Sequence, residues 1–278
     1  MSEKGDILIE EVRELPKAER GNTAVILKEQ RRLSEPLTPD EARRRMAAFS
    51  RRNFVIGGAA AAFGVLGWRW MSDETKYKLL RSTLEFNERV SQVFYSPSRL
   101  AKEFSGDDVT AARVNGDVGL KAEFDPAAWR LSVGGIAGRA DDLSLTLDEI
   151  KQLPRTDMVI EFKCIEGWAT ITHFAGVRFS DFAARYSSQN TLPFVAMATP
   201  DDEYYVGWDT PAIMHPQTLL AYEMNGRALR PEHGAPLRLA SPTKYGIKQI
   251  KRIGRIEFTS ERPRDYWAEQ GYDWYSGL

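Results

Sequence analysis

Apolar and polar residues alternate over short stretches in the C-terminal part of the chain. Met158, Ile160, Phe162 and Cys164 fall on one side of an extended segment, and Val159, Glu161 and Lys163 on the other. That period of two is the mark of a strand with one buried face. Cys164 is its last inward-pointing residue, and Glu166-Gly167-Trp168 turns the chain just past it. Shorter stretches of the same kind predict strands at Trp129–Val133, Phe194–Ala198, Leu237–Ala240 and Arg255–Thr259. Tyr222–Ala228 reads as a hairpin around Asn225-Gly226, and Val114–Asp117 as a turn. Sustained helical spacing runs from Asp73 to about Phe104 through Leu79, Leu80, Leu84, Phe86, Val90, Val93 and Phe94, with Ser96-Pro97 as a breaker. Asp73 and Glu74 suit the positive end of its dipole. Thr146 with Glu149 three residues on is a capping box for a short helix that stops before Pro154. Further short helices are expected near Ser180–Tyr186 and Pro216–Leu220. The sum is one α+β domain with mixed sheets over residues 105–278, preceded by a helical connector at 71–104.

The first 70 residues have a different grain. Residues 1–49 carry acidic and basic side chains in equal number and no apolar stripe, which predicts a polar, disordered leader. In residues 50–70, Ser50-Arg51-Arg52-Asn53-Phe54-Val55 leads into an apolar run from Phe54 to Trp68. A spanning helix needs roughly 20 residues, and this run is shorter. Paired arginines before a short apolar run read as a twin-arginine export signal. No small-x-small cleavage site follows, and Trp68 and Trp70 suit a membrane interface, so a cleaved signal and a retained anchor both stay open. The expected location is the periplasm or the outer face of the cytoplasmic membrane.

The chain has 278 residues and a net charge of -1, so no global field is available to hold nucleic acid. Cys164 is the one cysteine, which excludes an internal disulfide, a Cys-ligated iron–sulfur cluster and a CxxCH haem attachment. There are three histidines, His173, His215 and His233. A lone cysteine is most often an inert core residue. At the end of a strand beside a turn, it is also a soft ligand for a metal whose other ligands come from a cofactor. Two other classes remain at this point: a thiol hydrolase with Cys164 as nucleophile and His173 as base, and a cofactor-free periplasmic binding module.

Four ordered segments narrow the choice. Cys164–Trp168, Leu219–Gly226, Glu232–Arg238 and Lys244–Lys251 resemble the sulfite-oxidase-fold molybdopterin proteins, and with Ser260–Pro263 the chain is most similar to the exported methionine-sulfoxide-reductase branch. The resemblance covers roughly residues 105–278. It implies a sulfite-oxidase-type molybdopterin-binding domain, preceded by the twin-arginine signal or anchor. One molybdenum per chain would be held by a pyranopterin dithiolene and by the Cys164 thiolate. It places Arg238, Gln249, Ile250 and Lys251 toward the cofactor's phosphate, Thr199, Asn115, Val118 and Gly119 against the pterin, and His233 as a pterin donor. His173-Phe174 would stand beside the substrate entrance. A membrane cytochrome is the implied electron partner, and the twin-arginine export machinery the other.

The residues after Cys164, Ile165-Glu166-Gly167-Trp168, bring a carboxylate and an apolar wall but no arginine. That favours reduction of neutral S- or N-oxides, small or protein-bound, over sulfite-dehydrogenase-like oxidation of an anion. A protonated His173 would pull the other way.

Overall fold

The computed structural model describes residues 68–277, together with Asp40 and Arg44 ahead of them. The expected leader, the arginine pair and the apolar run up to Gly67 lie outside the described residues. Among the described residues no helix is long and apolar enough to cross a membrane.

Ten strands form two sheets among the described residues. In the first, β3 (Arg155–Lys163) pairs with β4 (Ala169–Arg178), β4 with β7 (Leu219–Met224), and β7 with both β8 (Arg227–Ala228) and β9 (Arg238–Ala240), all antiparallel. The second runs in the order β2 (Leu143–Leu145), β1 (Leu131–Gly134), β10 (Arg255–Thr259), β5 (Phe194–Ala198), β6 (Tyr205–Asp209), and is mixed because β1 and β10 are parallel. The α+β expectation is met.

Burial on β3 follows its alternation: Met158, Ile160 and Phe162 are buried, Val159, Glu161 and Lys163 are partly open, and Cys164 is buried one residue beyond the strand end. The sequence pattern misses β4, because its C-terminal half is buried on successive residues and its register shifts at Ala175/Gly176. A Cβ on Gly176 would lie 2.1 Å from the Leu220 carbonyl oxygen, so glycine is needed for the two strands to approach there.

One expected helix is corrected. Residues 216–220 are not helical: Thr218 N–H donates to the His215 carbonyl at 2.9 Å, and Leu219 opens β7. Leu219 and Ala221 face a small core with Met158, Ile160, Phe162, Cys164 and Phe174, while Leu220 and Tyr222 face the main core. A strand buried on both faces has no alternation to read. The hairpin at Asn225-Gly226 forms as expected, with both residues at positive φ.

Helix α1 (Asp73–Phe94) ends ahead of Ser96-Pro97, short of the connector's expected end near Phe104. The capping box holds on α2 (Leu147–Lys151): Glu149 N–H donates to Thr146 Oγ1 at 3.2 Å, and Thr146 N–H donates to Glu149 Oε2 at 2.8 Å. The helix α3 (Phe179–Tyr186) buries Phe179 and Phe182 in the main core. Two single-turn helices, α4 (Thr210–Ile213) and α5 (Tyr266–Glu269), are capped by Asp209 and Asp265. Those same carboxylates receive the buried ammonium groups of Lys244 (3.1 Å) and Lys248 (2.5 Å). Lys244 and Lys248 also donate to the Tyr275 and Trp274 carbonyls, which ties the C-terminal segment to the domain.

Candidate active site around Cys164

The turn after β3 places the cysteine. Cys164 N–H donates to the Trp168 carbonyl at 2.9 Å and Gly167 N–H to the Cys164 carbonyl at 3.1 Å, with Gly167 at φ +86°. The thiol opens into a cavity of about 130 Å³ that is also lined by Asn115, Val118, Arg238, Gln249 and Lys251. These are six of the residues that the sequence predicted for one site, drawn from four separate stretches of chain.

Burial pushes the Cys164 thiol above its ordinary pKa, and the backbone N–H groups of Glu166 and Ile165 partly offset this. Arg238, on β9, is wholly buried. Its guanidinium lies over the Phe162 and Phe174 rings at 5.7 and 5.3 Å and donates to the His233 carbonyl at 3.1 Å. Desolvation lowers it to about 10, and no carboxylate opposes that shift. The Lys251 ammonium donates to the Asn115 and Gly116 carbonyls and is lowered to about 8, by burial first and by Arg238 next. Gln249 has no free amide: it donates to the Ser241 and Lys244 carbonyls and accepts from Ser241 N–H, so it shapes the loop behind the cavity.

Four predicted residues lie outside the cavity. Gly119 packs against the Thr199 side chain, at a distance where an added Cβ would meet Thr199 Cγ2 at 2.6 Å. Thr199 itself donates to Asp201 at 2.5 Å. His233 is buried beside Arg230 at 3.0 Å, its pKa held low by burial and then by Arg238. Ile250 is a main-core residue.

Other expectations are corrected by the sheet register. His173 stands opposite Val159 on the face away from Cys164, and its Nε2 is 2.9 Å from Asp157. It joins a cluster in which Arg155 bridges Asp157 and Glu223. It therefore serves neither as a base for Cys164 nor as an anion contact at the entrance, and the thiol-hydrolase alternative loses its second member. Phe174 is core, not entrance wall. Trp168 stacks on Phe162 at 5.8 Å under the Arg113 guanidinium at 4.4 Å and donates to Glu166 at 2.9 Å. The segment just after Cys164 brings no arginine, as read, and Arg238, expected toward the phosphate, faces the thiol's cavity from another strand. Tyr204, Trp267 and Tyr272 also line it and were missed. Only the aromatic residues clustered near the chain's end hinted at Trp267 and Tyr272, and no local pattern marked Tyr204.

A soft thiol joined by one buried cation without a carboxylate, Arg238, and one half-buried cation, Lys251, is a donor set that calls for an anionic group with a soft metal. A phosphate-bearing molybdenum cofactor meets both demands, so the residues present fit it.

Residues 117–267 match the model of the oxidoreductase molybdopterin binding domain. The chain is 32% identical over 234 residues to the putative protein-methionine-sulfoxide reductase subunit YedZ1 of Azospira oryzae, covering 83% of this chain and 87% of that protein. It is 30% identical over 255 residues to the protein-methionine-sulfoxide reductase catalytic subunit MsrP of Campylobacter jejuni, covering 82% and 80%. The sulfane dehydrogenase SoxCD from Paracoccus pantotrophus superposes with a TM-score of 0.46 at 21% identity, over 51% of this chain and 40% of its own. Donor set and family agree: the chain belongs to the oxidoreductase molybdopterin-binding domain family and is a molybdenum-dependent oxidoreductase with a molybdopterin cofactor.

Proposed function

We propose that this enzyme reduces neutral S- or N-oxides by oxygen-atom transfer, with Cys164 as the protein ligand of molybdenum. The observation that carries this reading is the Cys164 thiol buried in one cavity with Arg238 and Lys251. Both relatives have methionine-sulfoxide reductase in their names, which supports a sulfoxide as substrate. When bound, the cofactor supplies the two-electron chemistry, and the protein supplies orientation, access and electrostatics. Cys164 would give up its proton to bind as thiolate. Arg238 and Lys251 would neutralise the cofactor's phosphate. Tyr204, Trp267 and Tyr272 form an aromatic wall, and Ile165 and Glu166 stand at the same cavity, where a carboxylate disfavours an anionic substrate.

Arg238 is also the observation that favours the second reading, oxidation of a small anion such as sulfite. Turnover separates the two. The expected result is a higher kcat/KM for a sulfoxide with reduced viologen than for sulfite with an artificial acceptor; the reverse order moves the enzyme to the sulfite side. For the ligand, Cys164→Ser should lower activity by at least ~100-fold, because an alkoxide is a harder donor than a thiolate. Its Tm should stay within a few degrees. Near-wild-type turnover would refute Cys164 as ligand.

Export by the twin-arginine route, residence at the outer face of the cytoplasmic membrane, and electrons from a membrane cytochrome complete the proposal. The Ser50–Val55 motif and the apolar run after it support the route.

A further inference from the structure

Helix α1 is amphipathic the wrong way round for a helix packed on its own domain. Its one buried residue is Glu88, whose carboxylate meets Arg262 at 2.6 Å. Arg81, about two turns earlier by helical geometry, donates to the Tyr272 carbonyl at 3.2 Å. Polar contacts thus hold its inner side. On a wheel of 3.6 residues per turn, Leu79, Phe86, Val90 and Val93 share the opposite side. All four are exposed, Val93 by 79% and Phe86 by 63%, and Phe94 extends the strip. No carboxylate of α1 falls within that strip.

Its charge pattern says what covers it. Arg89, Arg99 and Lys102 are exposed along its C-terminal end, and no ion pair engages them among the described residues. There the strip reaches a cavity of about 490 Å³ with Val90, Phe94, Leu100 and Phe104 among its walls and Arg99, Lys102 and Lys163 among its polar groups. The nearby Glu161 is spent on Lys163 at 3.4 Å. An apolar strip edged by unpaired cations fits a surface that is apolar within and anionic at its boundary. The sequence just ahead of α1 contains the apolar run from Phe54 to Trp68.

We propose that the outward strip of α1, Leu79 to Phe94, docks on an anionic phospholipid surface, with Arg89, Arg99 and Lys102 among the headgroups. The test uses the full chain carrying Val93→Cys labelled with an environment-sensitive NBD dye. Asp148→Cys, on exposed α2, is the control, and the unsubstituted chain, whose Cys164 is buried, is the blank. With vesicles of equal parts phosphatidylglycerol and phosphatidylcholine, emission at position 93 should shift to the blue and rise several-fold, while position 148 stays unchanged. Arg89→Ala with Lys102→Ala should weaken the titration several-fold at low salt and little at high salt. A label at 93 that stays wet while the chain sediments with vesicles would overturn the proposal, because the chain would then be held elsewhere. So would an equal shift at 148. A shift at 93 without vesicles that grows with protein concentration would assign the strip to a second copy. A shift only with protein-containing membranes would assign it to a protein partner.

Discussion

Arg238 carries its charge where only carbonyls and aromatic faces meet it. A buried, unopposed guanidinium costs stability, which supports the proposal that Arg238 holds the cofactor's phosphate. Arg238→Gln is therefore expected to leave the Tm of the cofactor-free chain unchanged or higher. Molybdenum retained through dialysis should fall by ~10-fold, about the worth of one charge-assisted bond. A variant that loses Tm and keeps its metal would make Arg238 structural. Lys244 gives a second residue-scale test, through pH. Burial lowers its ammonium from 10.5 to about 8, with Asp209 acting against the shift. Between those values the unfolded chain binds the extra proton, so the stability contributed at Lys244 rises as pH climbs from about 8 to about 10. The Tm difference between wild type and Lys244→Met should move in favour of wild type across that window. A constant difference would refute the shift.

Among the elements, those with a purely local cause were legible. The Thr146–Glu149 box, the Asn225-Gly226 hairpin and the alternation of β3 all depend on residues a few positions apart, and all formed as read. Thr146→Ala removes one reciprocal cap and should cost about 1 kcal/mol, or a Tm fall of about 2–4 °C. An unchanged Tm would mean that α2 is held by the buried Ile150 alone. Elements with a non-local cause were misread. The run Leu219-Leu220-Ala221-Tyr222 looks the same in a buried helix and in a strand between two cores, and only the pairing with β4 and β9 makes it β7. Helix α1 was legible as a helix, but its facing was not, because spacing names an apolar side without naming what lies against it.

At the scale of the whole molecule, the export proposal couples the catalytic domain to a targeting segment around Arg51 and Arg52. Arg51→Lys together with Arg52→Lys should hold the protein in the cytoplasm, because the paired arginines are read by a receptor rather than by the fold. Fractionation with an undiminished periplasmic or membrane pool would sink the export proposal. The sequence by itself determined the α+β class, the strand that delivers Cys164, the turn that follows it and most of the segments that line its cavity. Tertiary structure alone decided which side of the first sheet His173 occupies, which cations share the thiol's cavity, and that Gln249, Thr199 and His233 spend their polar groups on protein partners. The reason is physical. Periodicity and capping report a residue's relation to its own element, over distances of a few residues. The neighbours of Cys164 come from residues 115–118, 204, 238–251 and 267–272, and their approach is set by the register of strands and by burial against two cores, which no local pattern encodes.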